Sequence, residues 1–179
     1  MRYHNITKDD MLNGDGLRVV LWVSGCSHCC KGCQNPITWD VNGGVVFDES
    51  AKQEIFDQLD KPYISGITFS GGDPLHSANR MDVRTLMAEI REKYPDKTIW
   101  CYTGYTWEEL MDEIKVDDTI KVILDNIDVL LDGKFILKLA LEKLQYVGSR
   151  NQCIIDVKKS LKENKKVLYI DNNKILEGE

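Results

Sequence analysis

The sequence predicts an α/β fold: an open partial (β/α) barrel with a mostly parallel sheet. Three observations lead there. Short apolar runs alternate with amphipathic ones, the pattern of strand–helix crossovers that bring strands back side by side in one direction. The loops with the most distinctive chemistry follow the apolar runs, so they gather at the carboxyl ends of the strands, where ligands bind in such folds. The chain has 179 residues, short of the roughly 250 that a closed eightfold barrel needs.

The first of these runs, LRVVLWV (Leu17–Val23), reads as a buried strand. A cysteine-rich loop follows, then a helix across Ser50–Leu59. ISGITFS (Ile64–Ser70) is a second strand and ends in the turn GGDP. After it the helical pattern of Met81–Tyr94 puts Val83, Leu86, Met87 and Ile90 on one face. TIWCYT (Thr98–Thr103) is a third strand closed by Gly104, and TWEE has the capping-box pattern that opens a helix from Thr106 to about Ile114. A weaker helix over Asp118–Asn126 leads into the strand IDVLLD (Ile127–Asp132). Cys153–Val157 and Val167–Ile170 are lesser strand candidates. One domain is expected, with residues 1–158 as its functional part and the polar, Lys-rich residues 159–179 as an extension, read as a solvated appendage.

Hydrophobic residues make up 42% of the chain, enough to bury a core without disulfide or metal staples. The formal charge is −6 and the isoelectric point is near 5.2. This balance argues against nucleic acid or an anionic membrane as partner, since both call for clustered Lys and Arg. A protein or a small molecule fits better. The start, MRYHNITKDD, lacks the charged segment, apolar run and cleavage site of a secretory signal. No run reaches the roughly 18 apolar residues of a membrane span. A cytoplasmic location is therefore expected, where thiols stay reduced and crowded cysteines bind metal more often than they form disulfides. The isolated Cys101 and Cys153 read as small buried hydrophobes.

The segment CSHCCKGC, residues 26–33, holds four of the six cysteines and one of the three histidines. Parsed as two abutting CxxC pairs it suggests structural zinc, which takes four tetrahedral ligands. The adjacent Cys29 and Cys30 diverge, so enclosing one ion would need a sharp distortion or a histidine in place of one thiol. Parsed as Cys26-x3-Cys30-x2-Cys33 it suggests an iron–sulfur cluster. A four-iron cube on three thiolates keeps one iron open for chemistry on a bound ligand. On spacing alone both parses stand.

The CxxxCxxC loop after one strand and the Gly-Gly-acid turn after the next resemble the radical S-adenosylmethionine superfamily. Within it, GDGLRVVLWVSGCSHCCKGCQNPITW, FSGGDPLH, YTGYTWEEL, VLLDGKF and GSRNQ resemble the activating proteins of anaerobic ribonucleoside-triphosphate reductases. These segments run in order from about Gly14 to Gln152.

The resemblance implies that Cys26, Cys30 and Cys33 ligate a [4Fe-4S] cluster whose fourth iron chelates S-adenosyl-L-methionine. Reductive cleavage of that cofactor would give a 5'-deoxyadenosyl radical, which takes a Cα hydrogen from a glycine of the partner reductase. Gly32, Cys33, Gln34, Gly71, Gly72 and Asp73 are implied cofactor contacts, with the Asp73 carboxylate offered to the methionine ammonium. No catalytic side chain beyond cluster and cofactor is implied. A small flavoprotein is the implied electron donor. Activation of a different, formate-lyase-type glycyl-radical enzyme is the neighbouring reading, and a zinc-stabilised binding module the distant one. By composition alone GGDP is also an ordinary turn. Thr103 and Tyr105 are placed on the adenosine side or as scaffold, His28 beside the metal site rather than as a ligand, and Cys29 as an extra thiol able to exchange with Cys30. His76 is left facing the site or capping the next helix, and Asn35 near the cluster or starting a turn.

Overall fold

The computed structural model describes the backbone of residues 1–177 and the side chains through residue 175. Its strands are β1 (Arg2–Asp10), β2 (Leu17–Val23), β3 (Val45–Val46), β4 (Ile64–Gly71), β5 (Thr98–Tyr102), β6 (Val129–Asp132), β7 (Cys153–Asp156) and β8 (Leu168–Ile170). Its helices are α1 (Glu49–Leu59), α2 (Arg80–Lys93), α3 (Trp107–Glu113), α4 (Asp118–Asn126), α5 (Val157–Glu163) and α6 (Asn172–Glu177). All the strands join one sheet in the order β3-β1-β2-β4-β5-β6-β7-β8.

The α/β class holds, but the expected mostly parallel, open partial barrel gives way to a mixed sheet. Only β2–β4, β4–β5 and β5–β6 are parallel. The pairings β1–β2, β1–β3, β6–β7 and β7–β8 are antiparallel and outnumber them. Helical crossovers impose parallel neighbours, and the chain supplies them only between β2 and β6. Outside that stretch, β1 returns into β2 through residues 11–16, and β6 reaches β7 through irregular residues 133–152 carrying one short 3-10 turn. Strand β1 escapes detection because RYHNITKDD is polar and buries only Ile6. Strand β3 is two exposed valines.

Strand residues alternate between two faces. Val19, Leu21, Val23, Ile67, Phe69, Ile99, Leu130 and Ile155 share one core with the buried residues of α1 to α5. Val83, Leu86, Met87 and Ile90 of α2 lie in it, on the face their spacing predicts. Trp100, Val129, Leu131 and Ile154 turn the other way and form a smaller cluster with Val147. Local signals set several helix starts. Thr106 Oγ1 accepts from Glu109 N–H at 3.2 Å and the Glu109 carboxylate accepts from Thr106 N–H at 2.8 Å, closing the capping box of α3. Such a cap is worth about 1 kcal/mol.

Two features lie outside the apolar-run picture. Arg18, in the middle of LRVVLWV, is fully buried. Its guanidinium donates to Thr68 Oγ1 (2.8 Å), Thr98 Oγ1 (2.8 Å), Ile67 O (2.7 Å), Thr98 O (3.0 Å) and Asp15 O (3.1 Å), and lies 5.2 Å from the Trp100 ring centroid. Burial pushes its pKa down to about 10. The Lys-rich tail is not simply solvated: β8 extends the sheet, the Tyr169 ring meets Trp100 edge-on at 5.4 Å, and its hydroxyl donates to Asp15 at 2.5 Å.

Candidate functional site

Three strand ends build the site. Beyond β2, Gly25 N–H donates to Thr38 O (2.8 Å) and Cys26 N–H to Trp39 O (3.1 Å), so the first cysteine is held by the segment that follows the loop. Beyond β4, Gly72 N–H donates to Val23 O and Asp73 N–H to Gly25 O, each at 2.8 Å, which seats the GGDP turn on the start of the cysteine loop. The glycines are required here. Gly71 has φ +96°, and a Cβ on Gly72 would lie 2.5 Å from Gly25 O. Beyond β5, Thr103 donates its hydroxyl to the Asp73 carboxylate at 3.0 Å.

These turns open onto a cavity of about 670 Å³. Cys26, Cys30, Cys33 and Gln34 line it together with Gly71, Gly72, Thr103 and Gly104. Residues 133–135 and Tyr146, Val147, Gly148 and Gln152 supply another part of the wall, so the VLLDGKF and GSRNQ segments border the same space. Gln152 accepts from Gly148 and Ser149 N–H and donates to Gly133 O, which braces that wall. Asn35 and His28 also line the cavity. No helix among the described residues is long and apolar enough to cross a membrane.

The expected site residues do not all face this space. Gly32 stands behind it, packed near Leu137 and Phe135 at a φ of +78°. Asp73 is buried and does not line the cavity. Its carboxylate accepts from Leu75 N–H (2.8 Å), Thr103 Oγ1, Gly104 N–H (3.1 Å) and His28 Nε2 (2.6 Å). Cys29 is exposed, at a φ of +47°, and does not line the cavity. Tyr105 is not part of the wall; its ring meets His28 edge-on at 4.8 Å. His76 caps the next turn, accepting from Ala78 N–H through Nδ1 at 3.2 Å.

Asn79 is the residue that sequence reading passed over. Its buried amide donates to Ser24 O (2.8 Å) and Asp73 O (3.0 Å), tying the cysteine-loop strand to the GGDP turn. An Asn just ahead of a helix reads as a cap, which hides this use.

Burial pushes the Cys26 thiol up to about 11, and the backbone N–H groups of His28 and Cys29 pull the other way. Asn35 N–H donates to Cys33 Sγ at 3.3 Å. A half-buried thiol becomes a ligand only as thiolate, so metal binding must supply the free energy of deprotonation. Among the described residues no three His, Cys, Asp or Glu side chains are grouped to hold a single metal ion. A four-iron cluster makes no such demand, because each thiolate binds a different iron. Burial likewise pushes the Cys101 thiol well up; it is sealed in the helix-side core. Cys153 is packed at the edge of that core.

Residues 12–155 match the family profile described as "4Fe-4S single cluster domain". The chain is 42% identical over 156 residues to the anaerobic ribonucleoside-triphosphate reductase-activating protein of Haemophilus influenzae, covering 86% of this chain and 97% of that one. It belongs to this family. The Escherichia coli K12 member is 41% identical, covering 86% of this chain and 97% of its own. The Enterobacteria phage T4 member is 40% identical over 152 residues, covering 85% and 92%. The profile supports an iron–sulfur cluster in this chain, and the matched region contains all its cysteines.

Proposed function

We propose that the chain is the iron–sulfur activase of an anaerobic ribonucleoside-triphosphate reductase and that it works by reductive cleavage of S-adenosyl-L-methionine. The observation that carries this reading is the sorting of the sulfurs: Cys26, Cys30 and Cys33 line the cavity that Gly71 and Gly72 also line, while Cys29 faces solvent. Three thiolates on a [4Fe-4S] cluster leave one iron for the cofactor. When bound, the cluster would supply one electron for cleavage of the sulfonium into methionine and a 5'-deoxyadenosyl radical able to take a Cα hydrogen from a glycine of the reductase.

The chain's own residues prepare that event. Cys26, Cys30 and Cys33 would hold the cluster. The backbone at Gly71 and Gly72 carries no Cβ and admits the cofactor closely. Gln34 and Thr103 line the walls beside it. The far wall, with Phe135 and Tyr146, leaves the cavity large enough for a small-molecule cofactor, within the usual range of about 300–1,000 Å³. Electrons come from a small flavoprotein, and the reaction takes place in the cytoplasm. Residues 1–158 carry the activity, and residues 159–179 extend the same domain.

The names of the relatives favour the nucleotide reductase over a formate-lyase-type partner. The test is direct: anaerobic incubation with a candidate reductase, S-adenosylmethionine and a reductant should raise a glycyl-radical signal on the reductase in electron paramagnetic resonance. Cluster-loaded protein that cleaves the cofactor without producing that signal on any nucleotide reductase, while activating a formate-lyase-type enzyme, would replace the proposal with its neighbour.

A further inference from the structure

The middle of the cysteine loop is held in an unusual way. Residues 27–32 carry no helix or strand. Among the described residues none of their backbone groups bonds outside the loop; within it, Cys33 N–H donates to Cys30 O at 3.0 Å. The polar link to the body of the protein is one side chain. His28 Nε2–H donates to Asp73 Oδ2 at 2.6 Å, with the histidine side chain 8% and the aspartate 1% exposed.

The surroundings fix that link from every side. Asp73 is oriented by Thr103 Oγ1, Gly104 N–H and Leu75 N–H, so its position is set by two strand-end turns at once. The His28 ring meets Tyr105 edge-on and lies so close over Gly104 that a Cβ there would come within 2.3 Å of His28 Cδ2. This enclosed side chain stands between Cys26 and Cys30 in sequence.

We infer that His28 and Asp73 form a positioning pair: Asp73 anchors His28, and His28 locks the cysteine loop onto the Gly71–Gly72 and Thr103–Gly104 turns. Asp73 then serves the cofactor site indirectly, with its oxygens already engaged by protein donors, and makes no direct contact with the methionine ammonium. The part concerning cofactor cleavage rests on the function proposed above; the tethering of the loop does not.

Two measurements separate these parts. In metal-free protein, His28→Ala should speed amide hydrogen exchange at Cys26 and Cys33, the loop amides that donate to backbone carbonyls, by about tenfold while the helix-side core keeps wild-type protection, since local opening depends on the contacts holding that segment. His28→Gln, which retains a donor, should recover part of the protection. Gly104→Ala, which displaces the ring while leaving both polar partners in the chain, should loosen the same amides even if His28→Ala fails to fold. Wild-type exchange at Cys26 and Cys33 in either the His28→Ala or the Gly104→Ala protein overturns the inference.

In cluster-loaded protein, His28→Ala should lower kcat for reductive cleavage on the order of 10- to 100-fold, the cost of a misplacement near 1 Å, with little change in KM for S-adenosylmethionine. Asp73→Asn should do the same, and the double variant should be no worse than either single one, as expected of residues that act as a unit. A rise in KM confined to Asp73→Asn would mean direct cofactor contact and would also overturn the pairing. Wild-type protein that loads iron yet fails to cleave the cofactor defeats the functional proposal alone, and the exchange comparison still decides the tether.

Discussion

The two faces of the sheet are built on different principles. The helix-side face is almost wholly aliphatic and aromatic, and α1 to α5 cover it. The opposite face has only a small apolar cluster, a buried arginine held by five hydrogen bonds, and the cavity reached by Trp22, Ser70 and Tyr102. The first face gains its stability from non-directional burial. The second depends on directed hydrogen bonds, which fix geometry and leave room for a ligand. Division of labour across one sheet lets the loops of the open side carry chemistry without weakening the core.

The largest effect expected falls on the open side and leaves the fold intact. Cys26→Ala, Cys30→Ala or Cys33→Ala should each abolish cluster binding, measured as iron and sulfide per chain after anaerobic reconstitution. Cys29→Ala should keep about four irons, as a three-thiolate site requires. Retention in Cys30→Ala with loss in Cys29→Ala would reverse the assignment.

Next comes a matched pair across the sheet. Phe69→Ala in the helix-side core should cost about 3–5 kcal/mol in denaturant unfolding. Arg18→Met on the other face should cost about 1–3 kcal/mol, because its buried carbonyl and hydroxyl partners lose their donor. A negligible loss in Arg18→Met, which keeps an apolar side chain and removes the donors, would mean that the open face does not depend on those hydrogen bonds.

The smallest effect concerns the C-terminal strand. Tyr169→Phe removes one exposed hydrogen bond to Asp15 and should cost about 0.5 kcal/mol. The Tyr169 phenol is pushed up to about 12, first by its bond to the Asp15 carboxylate and then by burial, from an ordinary value of 10.0. A folded-state value above the unfolded one stabilises fully below pH 10 and fades as pH rises through about 12. The stability difference between wild type and Tyr169→Phe should therefore narrow over that interval, measurable by denaturant titration at stepped pH.

Helices α1 to α4 and the parallel strands were legible because their signals are local, whereas α5 and α6, in the polar Lys-rich stretch, were not read as helices. The α4 range follows from its pattern without adjustment, and TWEE closes the box that its spacing promises. Strand β1 was not legible, since a polar strand next to the sheet edge buries one residue and leaves no periodic trace. Arg18 was hidden for the opposite reason: one charged residue in an apolar run does not disturb the pattern, yet it organises a whole face.

The sequence by itself determined the groups available: four clustered cysteines whose spacing left two parses open, a pair of glycines, and turns at strand ends that meet on one rim. Tertiary structure alone decided how those parts are used. The direction of the outer strands depends on connections that carry no helix, and periodicity cannot register a crossover that is absent. The hydrogen bonding of Asp73 depends on donors distant in sequence. His28, Thr103 and Gly104 lie 45, 30 and 31 residues away, and only folding brings them within hydrogen-bond distance of the carboxylate.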